Sequence, residues 1–478
     1  MKKGDYIEGV VVKYVFPNIG TVEVNTDEGK EYIKVKNVLP GQKIKGMINK
    51  KKHGLLEARL DEVVERSAVE TVHPCPHFGE CGGCTYQTLP YEEQLKLKEE
   101  LVLNLLKKSL GEYASDIDDA REEAIASPDI SEYRNKMEYS FGDEYKDGPL
   151  ALGMHKRGST YDIVSNFECN IVDEDFRRIH KVTLEYFKSF DLPFFHKITH
   201  EGILRHLCIR KGKKSQEILV FLVTSSQWKD RFSKDEWDAI LNEYKDRLLK
   251  IELIGKYAGI LHITNDAFAD AIVNEGEKIL YGKDYFEEEL LDLNFRISPF
   301  SFFQNNSRAA ELLYSKVKEF LLDNVDDKPV VYDLYTGTGT IAQLISEATT
   351  KTIGVEIVEE AVEAAKESAK RNNINNCEFI AGDVLKCLDG IETLPDYIIL
   401  DPPRDGINPK ALEKILDYEV PSIVYVSCKP TSLARDLQEF YQKGYRIKRI
   451  CVADLFPTTV HIETIALLEL NRNTKDLV

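Results

Sequence analysis

Two residues late in the chain carry the chemistry this sequence offers. Cys428 stands in Ile423-Val424-Tyr425-Val426-Ser427-Cys428-Lys429-Pro430, and Glu463 in Phe456-Pro457-Thr458-Thr459-Val460-His461-Ile462-Glu463-Thr464. Upstream lies a glycine loop, Asp333-Leu334-Tyr335-Thr336-Gly337-Thr338-Gly339-Thr340. A nucleophile, a base and a nucleotide-cofactor loop in one region suit methylation of a carbon that is not nucleophilic by itself. C5 of uracil is such a carbon. A thiolate adding at C6 makes C5 nucleophilic, C5 takes the methyl group, a base removes the C5 proton, and the thiol is eliminated. The uracil must leave its stack to be reached.

Each residue also has a plainer reading. A cysteine in a β-rich run is usually a buried structural thiol. Cys428, however, ends its strand, the ligand side of such sheets, and Ser427, Lys429 and Pro430 are unlike core neighbours. Lys429 could favour the thiolate. A charged residue in a strand usually faces water, but Glu463 follows a Phe456-Pro457 turn that shapes a loop. His461 fits a supporting role.

Gly337 and Gly339 follow one strand and precede a helix, where glycine permits a tight turn and close approach to a ligand. Glu356 ends the next strand, where an acid can hold a ribose. The run Gly337 to Ala342 also satisfies the G-x-G-x-x-A dinucleotide pattern, so the loop alone suits NAD or S-adenosylmethionine equally. A hydride-transfer reading leaves Asp401-Pro402-Pro403-Arg404, Cys428 and Glu463 without roles, and this favours S-adenosylmethionine. Amino-group methyltransferases carry a tetrapeptide related to Asp401–Arg404 but ending in an aromatic residue, which Arg404 is not.

Cys75, Cys81 and Cys84 have C-x5-C-x2-C spacing among glycines, a metal signal. Cys169 is the choice for a fourth ligand. Four thiolates suit zinc or an iron–sulfur cluster, and spacing alone does not separate them.

These groups need elements to hold them. At 478 residues the chain exceeds one core. Residues 1–60 read as a small β-barrel of OB type, 61–298 as a sheet-rich central domain with the cysteine loop and a helical stretch over 91–125, and 299–478 as a βαβ series. In the last, apolar runs at 330–335, 352–357, 378–380, 397–400, 422–427, 446–452 and 462–468 predict seven strands of a Rossmann-like α/β domain. The net charge of -18 argues against a uniformly basic nucleic-acid binder. Residues 1–60 nevertheless carry +5, and Lys43, Lys45, Lys50, Lys51 and Lys52 offer either a basic patch or a solvated hairpin. No apolar run predicts a membrane span and no signal peptide is evident, so a cytoplasmic location with reduced cysteines is expected.

The first 60 residues resemble the TRAM domain. Across nearly its full length the chain resembles the RNA uracil-5-methyltransferase family, bacterial 23S ribosomal branch. The likeness rests on that barrel, the four cysteines, Tyr133-Arg134-Asn135-Lys136, Phe302-Phe303-Gln304-Asn305, Asp401-Pro402-Pro403-Arg404, Ser427-Cys428 and Phe456-Pro457 through Glu463. The resemblance implies a [4Fe–4S] cluster on Cys75, Cys81, Cys84 and Cys169. It implies S-adenosylmethionine contacts from Gln304, Tyr335, Glu356 and Asp401, beside Gly337 of the glycine loop, with Cys428 as nucleophile and Glu463 as base. It implies 23S rRNA as partner; from the chain itself, no membrane association is expected and no obligate protein partner is evident. It also implies that 91–125 packs on the catalytic domain. Lys429 and Thr458 depart from the family's frequent Asn and His. Three other readings are a tRNA uracil-C5 methyltransferase, a base amino-group methyltransferase and a non-catalytic RNA-binding iron–sulfur protein.

Overall fold

The computed structural model describes residues 1–27, 29–52, 54–269, 271–322 and 328–471. Contacts divide the chain into two units. One comprises Met1–His73, Thr85–Ala126 and Ile399–Val478; the other comprises Pro74–Cys84 and Ser127–Ile398.

In the first unit, five strands close into a barrel of OB type, in the order Tyr6–Val15, Ile19–Thr26, Gly29–Lys36, Leu55–Glu65, Lys43–Lys52. Alternation sends Ile7, Val11, Val22, Val24, Ile33, Val35, Ile44 and Ile48 inward. A Cβ on Gly46 would lie 2.4 Å from the Arg59 carbonyl oxygen, so only glycine lets the strands pass there. Three lysines of the lysine-rich hairpin have acidic partners. Lys43 pairs with Glu8 and Glu65 at 3.0 and 3.4 Å, Lys45 with Glu8 at 3.9 Å, and Lys50 with Glu57 at 3.4 Å.

The segment Thr85–Ala126 contains the helix Tyr91–Leu110, which buries Leu101, Val102, Leu106 and Leu110. It packs on the helix Pro430–Gln442, where Gln438 Nε2 donates to the Ser109 carbonyl at 3.0 Å. Downstream, the Glu122 and Ile125 amides donate to the Ile450 and Val452 carbonyls at 2.8 Å each. The strands Ser422–Ser427, Glu463–Leu470 and Tyr445–Ala453 lie side by side in that order, all antiparallel.

The second unit holds a seven-stranded sheet in the order Gly276–Gly282, Lys256–Thr264, Glu217–Thr224, Leu204–Lys211, Lys136–Asp143, Leu150–His155, Ile163–Val164. The helices Glu174–Lys188 and Lys234–Leu249 contribute Phe176, Phe187, Trp237 and Tyr244 to its core. The same unit carries three parallel strands in the order Cys377–Ala381, Lys351–Glu356, Val330–Leu334. The helix Glu359–Arg371 connects two of them. The strand Tyr397–Leu400 spans the division between the units. Each of the seven apolar runs expected after residue 329 is a strand, with ends within two residues of expectation. Among the described residues no helix is long and apolar enough to cross a membrane.

Candidate active site and cysteine loop

The strand Ser422–Ser427 pairs antiparallel with Glu463–Leu470, and its last pair is Ser427 with Thr464. Continuing that register by one residue sets Cys428 opposite Glu463. On its other side, Glu463 pairs with Ala453. The two residues that sequence reasoning singled out, 35 positions apart in the chain, therefore meet at one end of one strand pair. Asp401 follows the strand Tyr397–Leu400, and its charge and that of Arg404 act on both Cys428 and Glu463.

The electrostatics of this group are specific. Burial foremost, with Glu463 and Asp401 adding to it and Arg404 opposing, pushes the Cys428 thiol up to about 11. Glu463 is 3% exposed. Burial, reinforced by Asp401 and opposed by Arg404, holds its carboxyl well above the usual range. The Asp401 charge close by disfavours a second negative charge, so Glu463 holds its proton more tightly than a free carboxyl. The positive charge that acts on the thiol is that of Arg404. Lys429, expected to favour the thiolate, instead reaches the Asp405 carboxylate at 3.9 Å.

The loop 454–462, which leads into Glu463, is held by residues that the sequence did not single out. Lys98 Nζ donates to Asp454 Oδ1 at 2.8 Å and to the carbonyls of Phe456 and His461 at 2.9 and 3.2 Å. Gln94 Oε1 accepts from the Thr458 amide at 2.7 Å. Thr458 has φ 67°, a left-handed conformation. Its carbonyl accepts from the Thr85 and Tyr86 amides at 2.8 and 2.9 Å. The signal available in the sequence was a lysine and a glutamine four apart, Gln94 and Lys98, on a helix with an apolar face. The His461 ring packs edge-on to Phe456 with centroids 5.9 Å apart, a supporting contact.

The second unit carries the glycine loop. Tyr335, Gly337 and Gly339 have φ of 68°, 56° and 72°. A Cβ on Gly339 would strike Phe379 at 2.6 Å, so this glycine serves packing, whereas the space in front of Gly337 is open. Glu356 ends the strand Lys351–Glu356 and pins the loop. Its two oxygens accept from the Gly337 and Val358 amides at 3.1 and 3.0 Å. Asp333 accepts from the Thr336 hydroxyl and from the Ala342 amide at 3.0 Å, and burial raises its carboxyl to about 7. Gln304 is buried, and its carbonyl accepts from Asn135 Nδ2 at 2.9 Å. Asn135 also donates to Ser307 Oγ at 2.9 Å. The Tyr133–Lys136 and Phe302–Asn305 motifs, far apart in sequence, thus form one hydrogen-bonded corner.

Cys75, Cys81, Cys84 and Cys169 also belong to the second unit. Their thiols act on one another electrostatically, as they do at Cys169, which burial pushes up to about 12. Cys81 is raised to about 11 by the same cause. Backbone amides point at these sulfurs: His77, Phe78 and Asn170 at Cys75, Gly83 at Cys81 (3.4 Å), and Ile171 at Cys169. Arg157, half-buried above the Phe78 ring at 5.3 Å, donates to the Cys84 carbonyl. None of the nine cysteines forms a disulfide. Among the described residues no group of three His, Cys, Asp or Glu side chains converges to hold a single metal ion.

The whole chain is similar in structure to the Pyrococcus abyssi tRNA (uracil-54, C5)-methyltransferase, solved in complex with S-adenosyl-L-homocysteine. The TM-score is 0.73 at 26% identity, over 97% of this chain and 99% of that one. Its fold is therefore that of an α/β methyltransferase. The sequence family described as tRNA (uracil-5-)-methyltransferase matches residues 212–471. Two relatives, both described as uncharacterised RNA methyltransferases, are 46% identical. One, from Clostridium acetobutylicum, matches over 98% of each chain. The other, from Caldanaerobacter subterraneus subsp. tengcongensis, matches over 98% of this chain and all of its own. The chain belongs to the tRNA (uracil-5-)-methyltransferase family of enzymes.

Proposed function

We propose that the protein is an S-adenosylmethionine-dependent RNA uracil-C5 methyltransferase whose substrate is 23S rRNA. The observation that carries the reaction is the register that sets Cys428 opposite Glu463, with Asp401 and Arg404 acting on both. Cys428 gives its proton up to solvent, an ionisation that Arg404 favours, and its sulfur adds to C6 of a flipped uracil. The resulting enolate makes C5 the nucleophile. S-adenosylmethionine, when bound, supplies the methyl group. Glu463, once it has lost its own proton to solvent, takes the C5 proton, the C5–C6 double bond re-forms, and the Cys428 sulfur leaves as thiolate. Its raised proton affinity suits a carboxylate that must accept a proton from carbon. Gln304, Tyr335, Gly337, Glu356 and Asp401 are the cofactor contacts in this reading. The open space before Gly337 supports it, as does the complex of the Pyrococcus abyssi protein with S-adenosyl-L-homocysteine.

Cys75, Cys81, Cys84 and Cys169 would hold a [4Fe–4S] cluster. Amide N–H groups aimed at the sulfurs would stabilise thiolate ligands and tune a cluster held there, which supports this reading. When bound, the cluster supplies a redox-capable crosslink; the methyl transfer itself needs no electron. The barrel is read as a TRAM domain and the location as cytoplasmic.

The choice of ribosomal RNA rests on the joint presence of the barrel and the four cysteines. A tRNA substrate is the second reading, favoured by the full-length likeness to the tRNA (uracil-54, C5)-methyltransferase. Incubation of anaerobically purified protein with S-adenosylmethionine and unmodified 23S rRNA or tRNA, followed by nucleoside mass spectrometry, decides between them. New 5-methyluridine in rRNA is the expected result, and in tRNA alone it overturns the substrate. Cys428→Ala is expected to abolish both 5-methyluridine and the covalent RNA adduct; a Cys428→Ala protein that still methylates refutes the mechanism.

A further inference from the structure

We infer that Lys98 is a positioning residue for the proton-abstraction step, acting through the loop that delivers Glu463. The inference rests on the proposed role of Glu463 as base. Asp454 follows the strand Tyr445–Ala453, and His461 stands two residues before Glu463, so the two bracket the loop. Lys98 ties both ends together: its ammonium is shared by the Asp454 carboxylate, the Phe456 carbonyl and the His461 carbonyl at 2.8, 2.9 and 3.2 Å. Asp454 in turn accepts from the Phe456 amide at 3.0 Å. The side chains of Lys98 and Asp454 are 2% and 0% exposed. Ion pairs this dry are costly to build, and replacing one with apolar side chains is often neutral or stabilising. Bulk stability therefore gives no account of the pair, whereas a fixed loop geometry does.

The same loop is stapled from its other side. Val460 packs against the cluster of Leu39, Tyr86 and Leu89, with Tyr14 and Leu97 also packed there. The Lys98 ammonium lies 5.9 Å from the Tyr86 ring centroid. Helix Tyr91–Leu110 thus bears on Glu463 through the loop 454–462, by Lys98 at its two ends and by Gln94 at the Thr458 amide. Its effect should fall on the step that needs Glu463 and not on the step that needs Cys428. In that step the C5–H bond breaks, its proton goes to the Glu463 carboxylate, its electron pair re-forms the C5–C6 bond, and the C6–S pair returns to Cys428.

The test separates these steps in the full-length protein. Lys98→Met alone leaves Asp454 buried and unpaired, so the double variant Lys98→Met/Asp454→Asn is the principal one. Single-turnover reactions with end-labelled RNA follow the covalent adduct on denaturing gels and 5-methyluridine by mass spectrometry. Adduct formation is expected to stay within a few-fold of the parent, while release of methylated RNA slows roughly 10–100-fold, the scale of an ångström-sized misplacement. Glu463→Gln should accumulate the same adduct, and the double variant should shift the pH profile of release, which a merely structural loss would not do. Release at the parental rate overturns the inference, and so does a parallel loss of adduct formation and release. If the parent protein itself forms neither adduct nor 5-methyluridine, the underlying functional reading fails instead.

Discussion

Arg404 is the cation that acts on both the Cys428 thiol and the Glu463 carboxyl, and its removal tests the electrostatic reading directly. The perturbation is Arg404→Gln, which keeps a polar side chain and removes a charge that no accessible pH removes. Arg404 is exposed, so water screens it and the effective dielectric lies well above that of a buried pair. For unit charges ~6 Å apart in a medium of ε ~40–80, Coulomb's law gives ~0.7–1.4 kcal/mol. That is a rise of about half to one pKa unit from the present value of about 11. Below that pH the thiolate fraction falls with every unit of rise, so alkylation should slow about 3–10-fold at any fixed pH from 7 to 9. The assay is iodoacetamide labelling quantified on the Cys428 peptide by mass spectrometry, with Cys428→Ser to locate the signal among the nine cysteines. Labelling rates of parent and variant should converge as the pH passes the thiol's own pKa, because both are then fully ionised. An unchanged or faster rate at pH 8 refutes the assignment of Arg404 as the cation that favours the thiolate. A uniform slowing that persists at high pH shows an effect on access instead of charge.

Glu463→Gln tests the buried carboxyl through stability. Its folded-state pKa is raised, so between the unfolded value of about 4.3 and the folded one the native state holds more protons than the unfolded state, and stability falls as pH rises through that window. The variant, which cannot ionise, should be more stable than the parent by about 1–3 kcal/mol at pH 8. The gain should vanish near pH 4, measured by denaturant midpoints; a gain that is independent of pH refutes the cause. Cys169→Ala should lose most of the iron and visible absorbance of anaerobically purified protein while Cys208→Ala keeps both, by iron assay and spectrum; equal iron in the two removes Cys169 from the cluster.

Much of this protein is local and therefore readable from the chain. The seven strands after residue 329 follow from runs of apolar residues that can only be buried on a sheet, and the turn at Gly337–Gly339 from glycines whose positive φ other residues resist. Cys428 and Glu463 were visible as polar residues at the ends of apolar strands, where side chains are not committed to a core. The spacing of Cys75, Cys81 and Cys84 likewise marked three cysteines as a group, with Cys169 the choice for a fourth.

Tertiary structure decided what depends on partners distant in sequence. That Cys428 and Glu463 face one another follows from a register, and register belongs to a pair of strands, not to either alone. The Lys98–Asp454 clamp joins residues 356 positions apart, and Asn135 meets Gln304 across 169. Such contacts leave no periodicity behind. The lysines of the barrel suited either a basic patch or a solvated hairpin in the sequence, and only the fold supplied Glu8, Glu57 and Glu65 as partners for Lys43, Lys45 and Lys50. The protonation of the site had the same dependence. A thiol raised to about 11 and a carboxyl held above its usual range are consequences of burial and of Asp401 and Arg404 close by, and neither burial nor proximity exists in an unfolded chain.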